Sequence, residues 1–354
     1  MQMYVQTDFV GPKALKKLET SLKEFKEYVS QFPAVIKLTI CPIGSFCTGL
    51  GSREGSCLDL IVCMDGGQLT QSLNGDQLAL ALSKGLTDWA ELKALEPIGD
   101  GSSLLLLATK SSNPKLRIHT CKPSTFPFNH LHHSQLFTSY AMCDSRAPVV
   151  IALIKHWASF TGHSKPVVTL ACPFSGFHWT ILTLYFLIES DVIPNLHDVN
   201  PAAPDHVKVV YGPRPERDSF LNITDTKSAR KLTVGHRTVS DDPFQLCGGF
   251  FDWLSSVDLL NVIIDIREAG KRRMIPTDRK GWIVVADPVQ PGIHNTIRTD
   301  SGQKSQVEFA MKLRKTAKVV TEKLRGTNET TFFNQLLSRT ADNGSSNKLD
   351  KAVP

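Results

Sequence analysis

No apolar run in this chain approaches the length needed to cross a bilayer; the stretch Leu104 to Ala108 is short enough to be one buried strand. The residues from Met1 to Asp8 show neither the apolar core of a signal peptide nor the Arg/Ser-rich pattern of a transit peptide. The cytoplasm is therefore the default expectation, with mitochondrial import left open. The eight cysteines, at positions 41, 47, 57, 63, 121, 143, 172 and 247, include no CxxC pair. That spacing argues against a zinc site and against a disulfide framework, and it predicts reduced, largely buried thiols. Internal repeats and long low-complexity segments are also missing.

The 354 residues are 41% hydrophobic and 21% charged, enough to bury a real core and to form two domains. The net charge of +6 is a mild basic excess, which permits a phosphate-rich partner without demanding one. Basic residues cluster at Lys271 to Arg273, at Arg279 and Lys280, and from Lys312 to Lys318 with Lys323 and Arg325. The last cluster reads equally as the solvated face of a helix.

Apolar spacings of three and four predict a helix from Ala14 to Phe32, ended by Pro33, and a second from Leu69 to Thr87 with Leu73, Leu78, Leu80 and Leu82 on its apolar side. Strands are expected at Val35 to Ile40, Leu58 to Val62, Leu104 to Thr109 and Leu116 to Cys121. Between the first two lies a Gly-Ser turn, Gly44-Ser45, whose backbone can approach a phosphate closely, and Asp59 is the single acidic residue of the strand that follows. An ordinary strand-turn-strand unit with a capping Asp fits the same residues. Farther on, Phe174 to Leu187 reads as an apolar helix, Gln306 to Arg325 as a closing amphipathic helix with Val307, Phe309, Leu313, Val319 and Val320 inside, and Pro201 to Asp242 as a long polar surface loop. Thr331 to Gln335 extends the last helix briefly. The tail after residue 330 is polar and Gly/Ser-rich and is expected to be disordered.

Gly44-Ser45, Thr48-Gly49-Leu50 and Ser56-Cys57-Leu58-Asp59-Leu60, followed by Tyr140, Asp144-Ser145-Arg146 and Lys155-His156-Trp157, resemble the signature of DNA polymerase beta-like nucleotidyltransferases, in their non-canonical poly(A)/poly(U) polymerase branch. The resemblance spans roughly residues 36 to 325 and implies an α+β fold. It places a nucleotidyltransferase palm at 34–133, a mainly helical central and poly(A) polymerase-associated domain at 1–33 and 134–330, and a cleft between them.

The same resemblance implies where the chemistry should lie. Two carboxylates one residue apart and a third on a later strand would hold two divalent cations; here the three positions are Cys57, Asp59 and Lys122. A thiol is a soft ligand and an ammonium is itself a cation, so neither suits Mg²⁺ or Mn²⁺. Lys122 near Asp59 would instead form an ion pair in the space of a metal. Nucleotide-binding positions map to Gly44, Ser45, Lys155, Phe177, which stands where relatives carry an aromatic, and His294, in the base-reading loop. Gly176, Ser159 and His133 depart from the residues expected beside them. Phe177 reads equally as core, and His294 as a locally bonded loop residue. The implied function is a catalytically inactive subunit supporting RNA 3′-end tailing or processing through single-stranded RNA or a protein partner, such as an active tailing enzyme or an RNA-processing complex. No cofactor is expected. The alternatives are an active RNA terminal uridylyltransferase using Mg²⁺ or Mn²⁺, and a protein scaffold without nucleic-acid binding.

Overall fold

The structure, a computed structural model, describes residues 20, 23–27, 38–48, 50, 57–64, 75–99, 102–109, 115–121, 128–163, 174–198, 207–211, 218–223, 232, 242–269, 273–276, 280–290, 297, 302–326 and 331. Two compact units emerge. The first takes in the chain up to Ala152, Pro194–Gly235 and Pro288–Gly292, and the second takes in Leu153–Ile193, His236–Asp287 and the chain from Ile293.

The first unit is built on a five-stranded mixed sheet. Its strands are β1 (Leu38–Ile43), β2 (Cys57–Met64), β3 (Ala90–Gly99), β4 (Ser102–Thr109) and β5 (Lys115–Cys121), in the order β1-β2-β5-β4-β3. Only β2 and β5 run parallel; the other neighbours are antiparallel. Alternation along β2 and β5 sends Leu58, Leu60, Val62, Leu116 and Ile118 to one face, where they meet Leu105 and Leu107 of β4. A short helix α1 (Gly44–Cys47) follows β1, and α2 (Gly75–Gly85) covers the hydrocarbon face with Leu78 and Leu82. Leu80 lies on the opposite side of α2 and is 47% exposed. Helical period explains this: 78 and 82 are one turn apart, and 80 falls between them. Of the expected first helix, residue 20 and residues 23–27 are described, and its Phe25 is fully buried in this core against Trp89.

β3 is an additional strand that the sequence pattern did not signal. It pairs only with β4, and Glu91, Lys93, Glu96 and Pro97 give it the charged, proline-bearing character of an edge. The stretch expected as a surface loop after Pro201 contains a hairpin, β6 (Val207–Val210) with β7 (Ser219–Asn222). Phe220 and Leu221 are buried, and Ser139 Oγ of helix α3 (Phe128–Cys143) accepts from the Ile223 amide at 2.9 Å, so this part of the connection is packed structure. The apolar residues in an otherwise polar segment were the available signal.

Helix α4 (Arg146–Phe160) runs from the first unit into the second, which also contains α5 (Gly176–Glu189), α6 (Pro243–Ser256), the small sheet β10-β8-β9 formed by β8 (Val262–Ile264), β9 (Arg273–Met274) and β10 (Val284–Val285), and α7 (Gln303–Gly326). Its core is aromatic: Trp157 meets Phe251 and Trp179 edge-on at centroid distances of 4.7 and 5.7 Å, and Phe174 meets Phe309 at 5.0 Å. Asp242 caps α6 by accepting from the Phe244 and Gln245 amides, with Pro243 at the first helical position. α7 buries Phe309, Leu313 and Val320 as the spacing predicts, whereas Val307 and Val319 are half-buried at the margin. Beyond α7 only Thr331 is described, so the expected extension and tail lie outside the described residues, as do Leu73 and the ends of the expected first helix.

Candidate nucleotide site

Gly44 links β1 to α1 with φ of +76°, a backbone state that an L side chain adopts only with strain. Asp59 explains the second demand for glycine here. A Cβ on residue 44 would stand 2.6 Å from Asp59 Oδ2, so the carboxylate of β2 lies directly against the turn. The Gly44 amide donates to Ser134 Oγ at 2.9 Å, and that hydroxyl donates to the His130 carbonyl one turn earlier in α3. Ser45 is half-buried beside it, and Thr48 Oγ1 donates to its carbonyl.

The parallel pairing of β2 with β5 sets Asp59 opposite Arg117 and Cys57 opposite Lys115. Arg117 NH1 lies 3.4 Å from Asp59 Oδ1, with side chains 39% and 17% exposed. The next position of β5 on that face is His119, whose ring stands 5.3 Å from His130, itself 6.4 Å from His133. Burial first, then the neighbouring His130 and Arg117, lower the His119 pKa to about 4, so it is neutral at pH 7. His132 is lowered as well, by burial and then by His133.

A metal pair in such a site needs several hard oxygen donors. β2 offers one carboxylate, its neighbour two residues earlier is a cysteine, and β5 supplies a guanidinium and no carboxylate. Among the described residues no group of three His, Cys, Asp or Glu side chains is arranged to hold a metal ion. Among the described residues, the donor set around Asp59 does not fit two divalent cations. The cysteines nearby do not change this: burial, then Cys63 and its hydrogen bond, then Cys41, push the Cys121 thiol up to about 12, and burial followed by Asp144 does the same for Cys143.

The second unit holds a set of its own. Lys155 of α4 packs over the start of α5, where a Cβ on Gly176 would lie 3.2 Å from its Cε and 3.7 Å from its Nζ. Glycine at 176, one of the positions that depart from the resemblance, thus makes room for this lysine. Phe177 is half-buried and meets His178 edge-on at 5.7 Å, while the Ser175 amide donates to His178 Nδ1 at 2.9 Å and fixes the entry to the helix. The remaining signature residues serve packing. Tyr140 is fully buried and its hydroxyl accepts from the Leu196 amide, Arg146 clamps Asp144 with its Nε and NH2, and Trp157 sits in the aromatic core.

Asp59, Gly44 and Ser45 are thus brought together in the first unit, and Lys155 and Phe177 in the second. The backbone of Cys57 is placed in β2, while its side chain, Lys122 and His294 lie outside the described residues. Arg117, His119, His130 and Ser134 were not singled out by sequence reasoning. Arg117 and His119 share the strand alternation of Leu116 and Ile118, but only the β2–β5 register reveals that they stand beside Asp59.

The five-stranded mixed sheet, with its Gly-Ser turn against a strand carboxylate, and the aromatic-cored helical unit make up an α+β fold that recurs in solved structures. Within that fold, solved structures of RNA terminal uridylyltransferases match the chain along nearly its whole length. The Cid1 poly(U) polymerase bound to MgGTP matches with a TM-score of 0.70 at 16% identity, covering 95% of this chain and 96% of the other. A cytoplasmic RNA terminal U-transferase gives 0.69 at 17%, with 95% and 96% covered, and a further Cid1 poly(U) polymerase crystal structure gives 0.66 at 16%, with 92% of each chain covered. No protein-family model and no curated protein sequence matches the chain. The α+β architecture expected from the resemblance, a palm with a mainly helical partner unit, is the fold observed.

Proposed function

We propose that this chain is a catalytically inactive terminal nucleotidyltransferase-like subunit that supports RNA 3′-end tailing or processing by binding RNA or a protein partner. One observation carries the reading: Arg117 holds Asp59 at 3.4 Å on the face where the fold would need further carboxylates, and residue 57 is a cysteine. Nucleotidyl transfer needs cations to lower the pKa of the attacking hydroxyl and to neutralise the triphosphate. A single carboxylate already paired with a guanidinium supplies no such pair of sites. The partner in this reading is an active tailing enzyme or RNA-processing complex in the cytoplasm or the mitochondrion, and the RNA is single-stranded. Purified protein incubated with a labelled RNA primer, UTP or ATP, and Mg²⁺ or Mn²⁺ is expected to leave the primer unextended; metal-dependent extension overturns the proposal.

A second reading is favoured by the fold match to poly(U) polymerase structures and by the presence of Asp59 and Lys155. It is an active RNA uridylyltransferase, using Mg²⁺ or Mn²⁺, that draws its missing oxygen ligands from elsewhere and reads uridine with His294. UTP incorporation that disappears in Asp59→Ala would establish it. A gel shift with single-stranded RNA, weakening as salt rises, separates both readings from a scaffold that binds no nucleic acid.

A further inference from the structure

The contacts around Asp59 close on themselves. Asp59 leans on Gly44, Gly44 donates to Ser134, Ser134 donates to the His130 carbonyl, the His130 ring faces His119, and His119 lies beside Arg117, which returns to Asp59. Lys115, exposed, is the preceding β5 residue on that face. Asp59 is the one anion in this circle, and its charge is already met by Arg117. A guanidinium carries five N–H donors in a planar fork, so it can face a carboxylate with one edge and a phosphate with another. That is the bridging task a divalent cation performs between carboxylate and phosphate oxygens. The backbone route to a phosphate is engaged internally, because the Gly44 amide is held by Ser134.

We propose that Arg117 replaces the divalent cations, so that the palm binds a phosphoryl group, from a nucleoside triphosphate or from a phosphorylated RNA end, without any metal. The inference rests on the non-catalytic reading of the palm and gives it a ligand class. Lys115 adds a second cation at the rim. Asp59 orients the guanidinium and is a positioning residue, not a phosphate contact.

The test uses the full chain in calorimetric titrations with UTP, with inorganic triphosphate, and with an oligouridylate bearing or lacking a 3′-phosphate, each in EDTA and then in Mg²⁺. Binding of at least one phosphate-bearing probe is expected in EDTA, with an affinity that Mg²⁺ changes by no more than about twofold. Arg117→Ala should weaken it about tenfold or more, as loss of a charged hydrogen bond does, and Arg117→Lys should retain part of it. The UTP and triphosphate arms against the 3′-phosphate arm decide which source of phosphate is taken. Binding that needs Mg²⁺, no binding of any phosphate-bearing probe in EDTA, or unchanged affinity in either Arg117 variant overturns the proposal. The wild-type comparison of EDTA with Mg²⁺ decides the matter even where Arg117→Ala fails to fold. Primer extension overturns the non-catalytic reading itself, whereas failure of EDTA binding without extension removes only this inference.

Discussion

The two faces of the five-stranded sheet are made from the same strands and obey different rules. On one face Leu58, Leu60, Val62, Leu105, Leu107, Leu116 and Ile118 pack with Leu78, Leu82, Phe25 and Trp89, all buried. On the other, Ile61, Cys63, Cys121 and Ile43 form a smaller apolar patch, and Asp59, Arg117 and His119 occupy the alternate β2 and β5 positions beside it. The first face supplies most of the hydrocarbon that holds the sheet, so the second is free to change its polar residues. A polar pair such as Asp59 and Arg117 can vary there with little consequence for the fold.

Substitutions can break or sharpen this contrast. The largest effect is expected on the hydrocarbon face: Leu60→Ala should cost about 2 to 5 kcal/mol in denaturant unfolding, and a cost near zero would contradict the division of labour. Gly44→Ala, at the backbone of the polar face, should cost about 1 to 3 kcal/mol, because φ is positive and the new Cβ meets Asp59. Ser134→Ala leaves the Gly44 amide without its hydroxyl partner, with an expected loss of about 1 to 2 kcal/mol in thermal or chemical melts.

A smaller, pH-dependent effect belongs to the polar face. His119 titrates near 4 in the fold but near its ordinary value when unfolded, so the unfolded chain takes up the proton first. Its contribution is complete above about pH 6.5 and is lost as pH falls toward about 4; His119→Asn should flatten that part of the stability profile. An unchanged slope would remove His119 from the account. Smallest of all, Arg117→Met should change stability by less than about 1 kcal/mol, since the pair is partly solvated. A large loss there would mean that the polar face carries the fold after all.

The strands were legible because β2, β4 and β5 alternate or run apolar between turn residues, and α5 and α7 because their apolar spacings are helical. β3 was not, because an edge strand with charges and a proline resembles a loop until a partner strand is known. The hairpin β6–β7 was hidden the same way: strands of four residues carry too little periodicity, and the burial of Phe220 and Leu221 depends on α3. At the site, Gly44 and Asp59 were readable from residue type and spacing, and their contact in the fold is close. Arg117 was not, because its relation to Asp59 exists only through a parallel register between distant segments. Sequence attention went to Lys122, which the resemblance set at the third carboxylate position by counting back from later motifs and which lies outside the described residues; Arg117 stands beside Asp59 across the β2–β5 register.

That parallel pairing also sets a timetable. β3 and β4 both lie between β2 and β5 in the chain, and β5 must slot between β2 and β4 in the sheet. During synthesis β1 and β2 can form a hairpin, and β3 and β4 another, but β2 keeps one edge open until β5 has left the ribosome and entered as the central strand. Asp59 and Arg117 therefore meet only when this last strand is inserted, and the carboxylate waits for its counter-ion until the palm is complete.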